Sequence, residues 1–212
     1  MQQFKDHRRQ YVRQHQIPVA RAVNILQRSK HDTDRLCNAV GHAVLTSCLD
    51  SNRIVGLASD GLHTNGYSLA RKVIFEQAGL RLEDPLGNTG RTVVDELLRP
   101  HRAYVAPVMR LLETVEVKGI AHITGGGLWD NVPRVLPAGL CACLRAGSWP
   151  VPPVFGFLQE AGRIETREMY HVFNMGLGMV LFVDAAQAET ALRVLREAGE
   201  DATSVGEVEP GS

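Results

Sequence analysis

A chain of 212 residues with 44% hydrophobic content can bury one good core of about 160 residues and still carry an appended segment. Its 23 Lys and Arg balance 23 Asp and Glu, and a pI of 7.1 is not that of a dedicated nucleic-acid binder, which concentrates a basic excess on one face. No apolar run is long enough for a membrane span, and Pro18, Arg21 and Asn24 break what would be a signal-peptide core, so the expectation is a soluble, cytoplasmic protein.

The first segment, residues 1–52, reads as a basic, helix-like leader, with Lys5, Arg8, Arg9, Arg13, Arg21, Arg28, Lys30 and Arg35 set against Asp6, Asp32 and Asp34. Cys37, Cys48, Cys141 and Cys143 lack paired zinc-ligand spacing and are expected to be buried or free thiols; no metal site is predicted.

Arg53 to Ser59 reads as a buried strand. It enters a loop dense in Gly, Ser, Asp, His and Asn, and then a helix that places Leu69, Val73, Ile74 and Ala78 on one face until Gly79 stops it. In this loop His63 has the chemistry to bond a phosphate or shuttle a proton near neutral pH; its alternative is a loop histidine bonding neighbouring backbone. Asn65 is a helix-capping type as well as a candidate ligand, and Gly66 and Ser68 could offer backbone and hydroxyl donors.

Residues 80–92 form an exposed excursion, followed by helices over 93–98 and 104–113 that Pro100 separates. A strand over 115–123 then feeds Thr124-Gly125-Gly126-Gly127 and a short helix expected to begin near Trp129, with Pro133 close to its start. Strand, triple glycine and helix form an arrangement suited to an oxyanion, because glycine lets backbone N–H groups approach it closely; a tight turn is the alternative. Thr124 could add a hydroxyl, and Asn131 and Arg134 could orient or neutralise the anion or merely tie down the loop. His122 ends an apolar strand and reads as a core histidine.

Further strands are expected over 139–145, 178–184 and 203–208. One helix over 154–161 starts at a proline cluster and ends at Gly162, and another is capped by Asp184 and ended by Gly199. Alternating strands and helices predict an α/β, or layered α+β, domain with helices against a mixed sheet.

The words Gly61-Leu-His-Thr-Asn-Gly-Tyr-Ser-Leu-Ala-Arg-Lys72, His122-Ile-Thr-Gly-Gly-Gly-Leu-Trp-Asp-Asn-Val-Pro-Arg-Val-Leu-Pro137 and Glu168-Met-Tyr-His-Val-Phe-Asn-Met-Gly-Leu-Gly-Met179 occur in this order. From about Arg53 onward the chain resembles the C-terminal domain of aminoimidazole ribonucleotide synthetase, also called phosphoribosylformylglycinamidine cyclo-ligase. The resemblance implies a partly ferredoxin-like domain. It also implies a purine-pathway reaction: ATP phosphorylates the amide oxygen of formylglycinamidine ribonucleotide, a nitrogen closes the imidazole ring, and phosphate leaves. It makes His63 a catalytic candidate and Asn65, Gly66, Ser68, Thr124, Gly125, Gly126, Gly127, Asn131, Arg134 and Asn174 candidates for substrate or phosphate binding. His171-Val172 stands where many family members have Arg-Thr, which weakens one cation contact.

In the family an N-terminal domain supplies most contacts to ATP and magnesium and most of the dimer interface, and residues 1–52 do not resemble it. The chain is therefore expected to carry half of a site and to be inactive alone. Its partners would be the ribonucleotide substrate and either a second copy in a homodimer or a separate ATP-binding half, with no nucleic acid and no membrane. The alternatives are a related ATP-using enzyme, such as thiamine-monophosphate kinase, selenophosphate synthetase or the hydrogenase maturation protein, and a non-catalytic scaffold module.

Overall fold

The computed structural model describes residues 52–63 and 65–211. The predicted leader apart from Asn52, which the structure places in β1, and with it Cys37 and Cys48, lies outside the described residues. Five strands pair into one sheet: β1 (Asn52–Ala58), β2 (Val117–His122), β3 (Leu140–Leu144), β4 (Leu177–Asp184) and β5 (Ala202–Pro210). Their order is β2-β4-β1-β5-β3, and every pairing is antiparallel.

The layered α+β architecture is as expected, but the mixed sheet is corrected. The crossover from β1 to β2 does leave those two strands running the same way. β4 inserts between them, just as β1 inserts between β4 and β5, so each strand meets only antiparallel neighbours. Two interleaved β-α-β units of this kind make the ferredoxin-like arrangement, and β3 extends it beyond β5.

The helices are α1 (Tyr67–Arg71, continuing as a π-helical turn over Lys72–Gln77), α2 (Val93–Leu97), α3 (Val105–Leu112), α4 (Gly127–Asn131), α5 (Pro153–Gly162), α6 (Thr166–Val172) and α7 (Ala188–Glu197). One sheet face buries Val55, Leu57, Leu181 and Val183 against Val108 and Leu111 of α3 and Leu192 and Leu195 of α7. The opposite face buries Ile54, Val180, Phe182 and Val205 against Leu128, Val132, Val135 and Trp149. A third cluster joins α1, α5 and α6 through Val73, Ile74, Phe155, Leu158, Met169 and Phe173.

Local chemistry explains where the elements start and stop. Asp184 accepts a hydrogen bond from the Ala186 N–H and opens a 3-10 turn (Ala185–Gln187) that leads into α7, and Gly199 leaves it in a left-handed conformation. At the end of α5 the left-handed residue is Arg163 rather than glycine, because Gly162 serves packing: a Cβ there would stand 2.7 Å from Val73 Cγ2. The short helix expected near Trp129 starts two residues earlier, at Gly127, and Pro133 instead opens a following 3-10 turn (Pro133–Val135). No described helix is long and apolar enough to cross a membrane.

Candidate functional site at the shared end of β1 and β2

Because β1 and β2 both run antiparallel to β4, their C-terminal ends lie at one end of the sheet. Ala58 pairs with Leu177, and His122 pairs with Met179. The two glycine-rich loops therefore emerge side by side, separated only by the start of β4. Rings connect them: His63 of the first loop stacks on His101 with centroids 4.1 Å apart, and His101 meets His122 edge-on at 5.3 Å.

The first loop turns its polar side chains inward. His63 is only 4% exposed and adopts a left-handed φ of 52°, and its Nε2 accepts the Asp60 N–H at 2.9 Å. Burial, reinforced by the neighbouring His101, pushes its pKa down to about 4, so the imidazole is neutral at pH 7. That corrects the expectation of a residue titrating near neutrality. The bonding is that of a histidine organising its own loop.

Asp60 is held in turn by Arg102, whose Nε and Nη2 donate to the two carboxylate oxygens at 2.9 and 2.7 Å. This two-pronged bond holds the Asp60 carboxyl below its usual range. Arg102 also reaches Glu200 at 3.3 Å, tying the loop to the start of β5, and burial raises the Glu200 pKa.

Asn174 closes this loop from below. Its Oδ1 accepts from Ser59 Oγ and the Gly176 N–H at 2.7 and 2.9 Å, and its Nδ2 donates to the Gly61 and Leu62 carbonyls at 2.8 and 3.3 Å. At 1% exposure, with both amide atoms engaged, Asn174 is a bracket for the loop. Asn65 does not cap α1; its Nδ2 donates to the His63 carbonyl, and the N-cap position falls to Gly66. Gly66 is packed against the Phe173 ring, which leaves no room for a side chain, and Ser68 is exposed.

The second loop keeps backbone at the surface. Asn131, 7% exposed, donates from Nδ2 to the carbonyls of Thr124, Gly125 and Gly127 at 3.3, 3.2 and 2.8 Å. Its Oδ1 accepts from Thr124 Oγ1 and Arg134 Nη1. Thr124 and Asn131 thus give the loop its shape, and Arg134 is an exposed cation tethered to it.

The three glycines differ in role. Gly127 is pressed against the carbonyls of Tyr170 and Phe173, and a Cβ at Gly126 would stand 2.6 Å from Asp130 Oδ2. Gly125 is exposed, with open space where a Cβ would point. His171, at the position where the resemblance loses an arginine, lies 3.4 Å from Asp130 Oδ2. The exposed Trp129 carries Arg167 over its ring.

Sequence reasoning missed Asp60, His101, Arg102, Tyr104 and Glu200. The available signal was Pro100-His-Arg-Ala-Tyr104, a dense polar group between two helices. Tyr104 Oη donates to the Ala58 carbonyl at 2.7 Å, and Gly178 must be glycine because a Cβ there would run into that hydroxyl. Among the described residues no cluster of three His, Cys, Asp or Glu side chains could hold a metal.

Comparison with known proteins places this geometry. The family model described as AIR synthase related protein, C-terminal domain, matches residues 50–212. The chain belongs to that family. Among relatives of this AIR synthase C-terminal domain, the phosphoribosylformylglycinamidine cyclo-ligases of Trichlorobacter lovleyi and Citrifermentans bemidjiense are each 53% identical over 157 residues, covering 74% of this chain and 45% of theirs. The chain spans about half the length of the curated relatives it matches. A thiamine-monophosphate kinase from Stenotrophomonas maltophilia shares the fold at 16% identity, with a TM-score of 0.50 over 76% of this chain and 48% of the kinase.

Proposed function

We propose that residues 53–212 supply the C-terminal-domain half of a phosphoribosylformylglycinamidine cyclo-ligase site, with residues 1–52 a basic leader distinct from it. The observation that carries this reading is the meeting of the two glycine-rich loops at one end of the sheet, in a chain 53% identical to cyclo-ligases across that region. The family match, which starts at residue 50, supports the partition.

In this reading the second loop holds a substrate phosphate through the open backbone at Gly125 and Gly126, with Arg134 as the nearby cation. The first loop is a rigid wall fixed by Asn174, Arg102 and Asp60. Phosphoryl transfer and ring closure depend on positioning and charge stabilisation more than on a potent protein nucleophile, and a rigid wall beside an open backbone supplies that. ATP and magnesium are held by a separate ATP-binding half, and the reaction takes place in the cytoplasm.

The test is reconstitution. The purified chain is mixed with the N-terminal domain of the Trichlorobacter lovleyi relative, and ATP-dependent ring closure of formylglycinamidine ribonucleotide is followed. The expected result is no turnover by the chain alone and turnover in the mixture. Robust turnover without the added domain would refute the division of labour, and a mixture that neither turns over nor binds the ribonucleotide would refute the site.

A further inference from the structure

We infer that His101 is a catalytic residue of this site, accepting through Nε2 the proton lost by the nitrogen that closes the ring. The inference rests on the function proposed above and names a residue that function did not require. His101 Nδ1 lies 2.8 Å from the Arg102 carbonyl oxygen. A carbonyl oxygen only accepts, so Nδ1 carries the hydrogen and the neutral ring has its lone pair on Nε2.

The rest of the ring is positioned without using that atom. One face stacks on His63, and His122 and Tyr104 meet the ring edge-on at centroid distances of 5.3 and 6.3 Å. The carbonyl that sets the tautomer belongs to Arg102, whose side chain is held by Asp60 and Glu200. His101 is itself exposed, and Nε2 has no hydrogen-bond partner among the described residues. It is therefore a solvent-facing base on a rigid mount, touching the first loop through His63 and the end of β2 through His122. His63 does not fill this role, because its Nε2 is engaged by the Asp60 N–H inside the loop.

The step balances as follows. Once ATP has phosphorylated the amide oxygen, the attacking nitrogen forms its bond to the activated carbon. The carbon–oxygen bond breaks, inorganic phosphate leaves with the electron pair, and the nitrogen's proton passes to His101 Nε2. The resulting imidazolium keeps its Nδ1–H on the Arg102 carbonyl and returns the proton to water.

Two measurements test the assignment. In the nitrogen-15-labelled chain, long-range nitrogen–proton correlations at His101 should show the Nδ1–H tautomer, and the Nε2 resonance should move when formylglycinamidine ribonucleotide is added without ATP. In the reconstituted mixture, His101→Gln keeps a polar group near the Nε2 position but cannot take up a proton; kcat should fall roughly a hundredfold with KM little changed. An Nε2–H tautomer, an Nε2 resonance that ignores the ribonucleotide, or an unchanged kcat for His101→Gln overturns the inference and leaves the proposed function standing. An unaltered chain that fails to close the ring in the mixture removes the proposed function, and this inference with it.

Discussion

The two strand-to-helix loops look alike in composition and are built in opposite ways. In the loop over 59–66 described polar side chains bond to the protein itself: His63 to the Asp60 amide, Asp60 to Arg102, and Ser59 to Asn174. The loop over 124–131 gathers the carbonyls of Thr124, Gly125 and Gly127 on one side chain, Asn131, and leaves Gly125 open. The side chains make a surface rigid, and the glycine lets something approach it.

The largest expected effect comes from the point where the second loop leans on the end of α6. Gly127→Ala drives a Cβ into the carbonyls of Tyr170 and Phe173 at a φ of 56°, and neither backbone can yield. A loss of about 4 kcal/mol or more, enough to prevent folding, is expected in a urea titration. A well-folded Gly127→Ala protein would show that the second loop is looser than described.

Asn174→Ala removes both engaged amide atoms of a side chain that is almost fully buried, and strands the Gly61 carbonyl and the Gly176 N–H. It should cost about 3 kcal/mol. The matching change in the second loop, Asn131→Ala, strands one buried carbonyl, that of Gly127, and two partly solvated ones, and should cost about 2 kcal/mol. Equal losses in the two variants would erase the contrast between an inward-bonded loop and an open one.

The pH dependence tests His63 directly. Unfolded, this imidazole takes up a proton near pH 6.5; folded, it does so only near 4, so the unfolded state binds more protons between those values. Its contribution is fully present above pH 6.5 and is lost as pH falls from 6.5 to 4. After allowance for solvent screening, about 2 kcal/mol should disappear across that window. His63→Asn, a residue type that tolerates left-handed backbone, should flatten this part of the stability curve. A parallel acid loss in the variant would assign the effect to other groups.

The smallest expected effect on stability is the most telling for function. Gly125→Ala meets open space at ordinary backbone angles and should change stability by less than about 0.5 kcal/mol. It should nonetheless weaken binding of the ribonucleotide, measured by calorimetry, because the new methyl group stands where a phosphate must approach backbone. Unchanged affinity would move the phosphate site away from this glycine.

Much of the fold was legible because its signals are local. The runs 53–59 and 178–184 read as strands, and Asp184, Gly199 and the prolines before α5 marked helix ends. α6 escaped notice: Thr166-Arg-Glu-Met-Tyr-His-Val172 buries only Met169 fully, so it carries almost no apolar period. Strand adjacency escaped as well, since nothing near β1 records that β4 will lie beside it. In the site, the glycines and Asn131 were visible by position. The Asp60–Arg102 pair and the contact of His101 with both His63 and His122 were not, because they join segments whose separation in sequence hides their closeness in space.

The interleaved sheet also dictates when this protein can fold. Among the described strands β1 is made first, yet its two neighbours are β4 and β5, with Ile54 in register with Phe182 on one side and Gly206 on the other. Until β4 has been made, β1 exposes both hydrogen-bonding edges and the apolar side chains of Ile54, Val55 and Leu57, and until β5 has been made one edge stays open. Folding must wait for these distant pairings and is expected to be slow and dominated by long-range closure, with a nascent chain vulnerable to aggregation for most of its synthesis. Loss of β5 alone would leave β1 with an unpaired edge and β3 with no neighbour in the sheet, so the last of the described strands determines whether the first of them is protected.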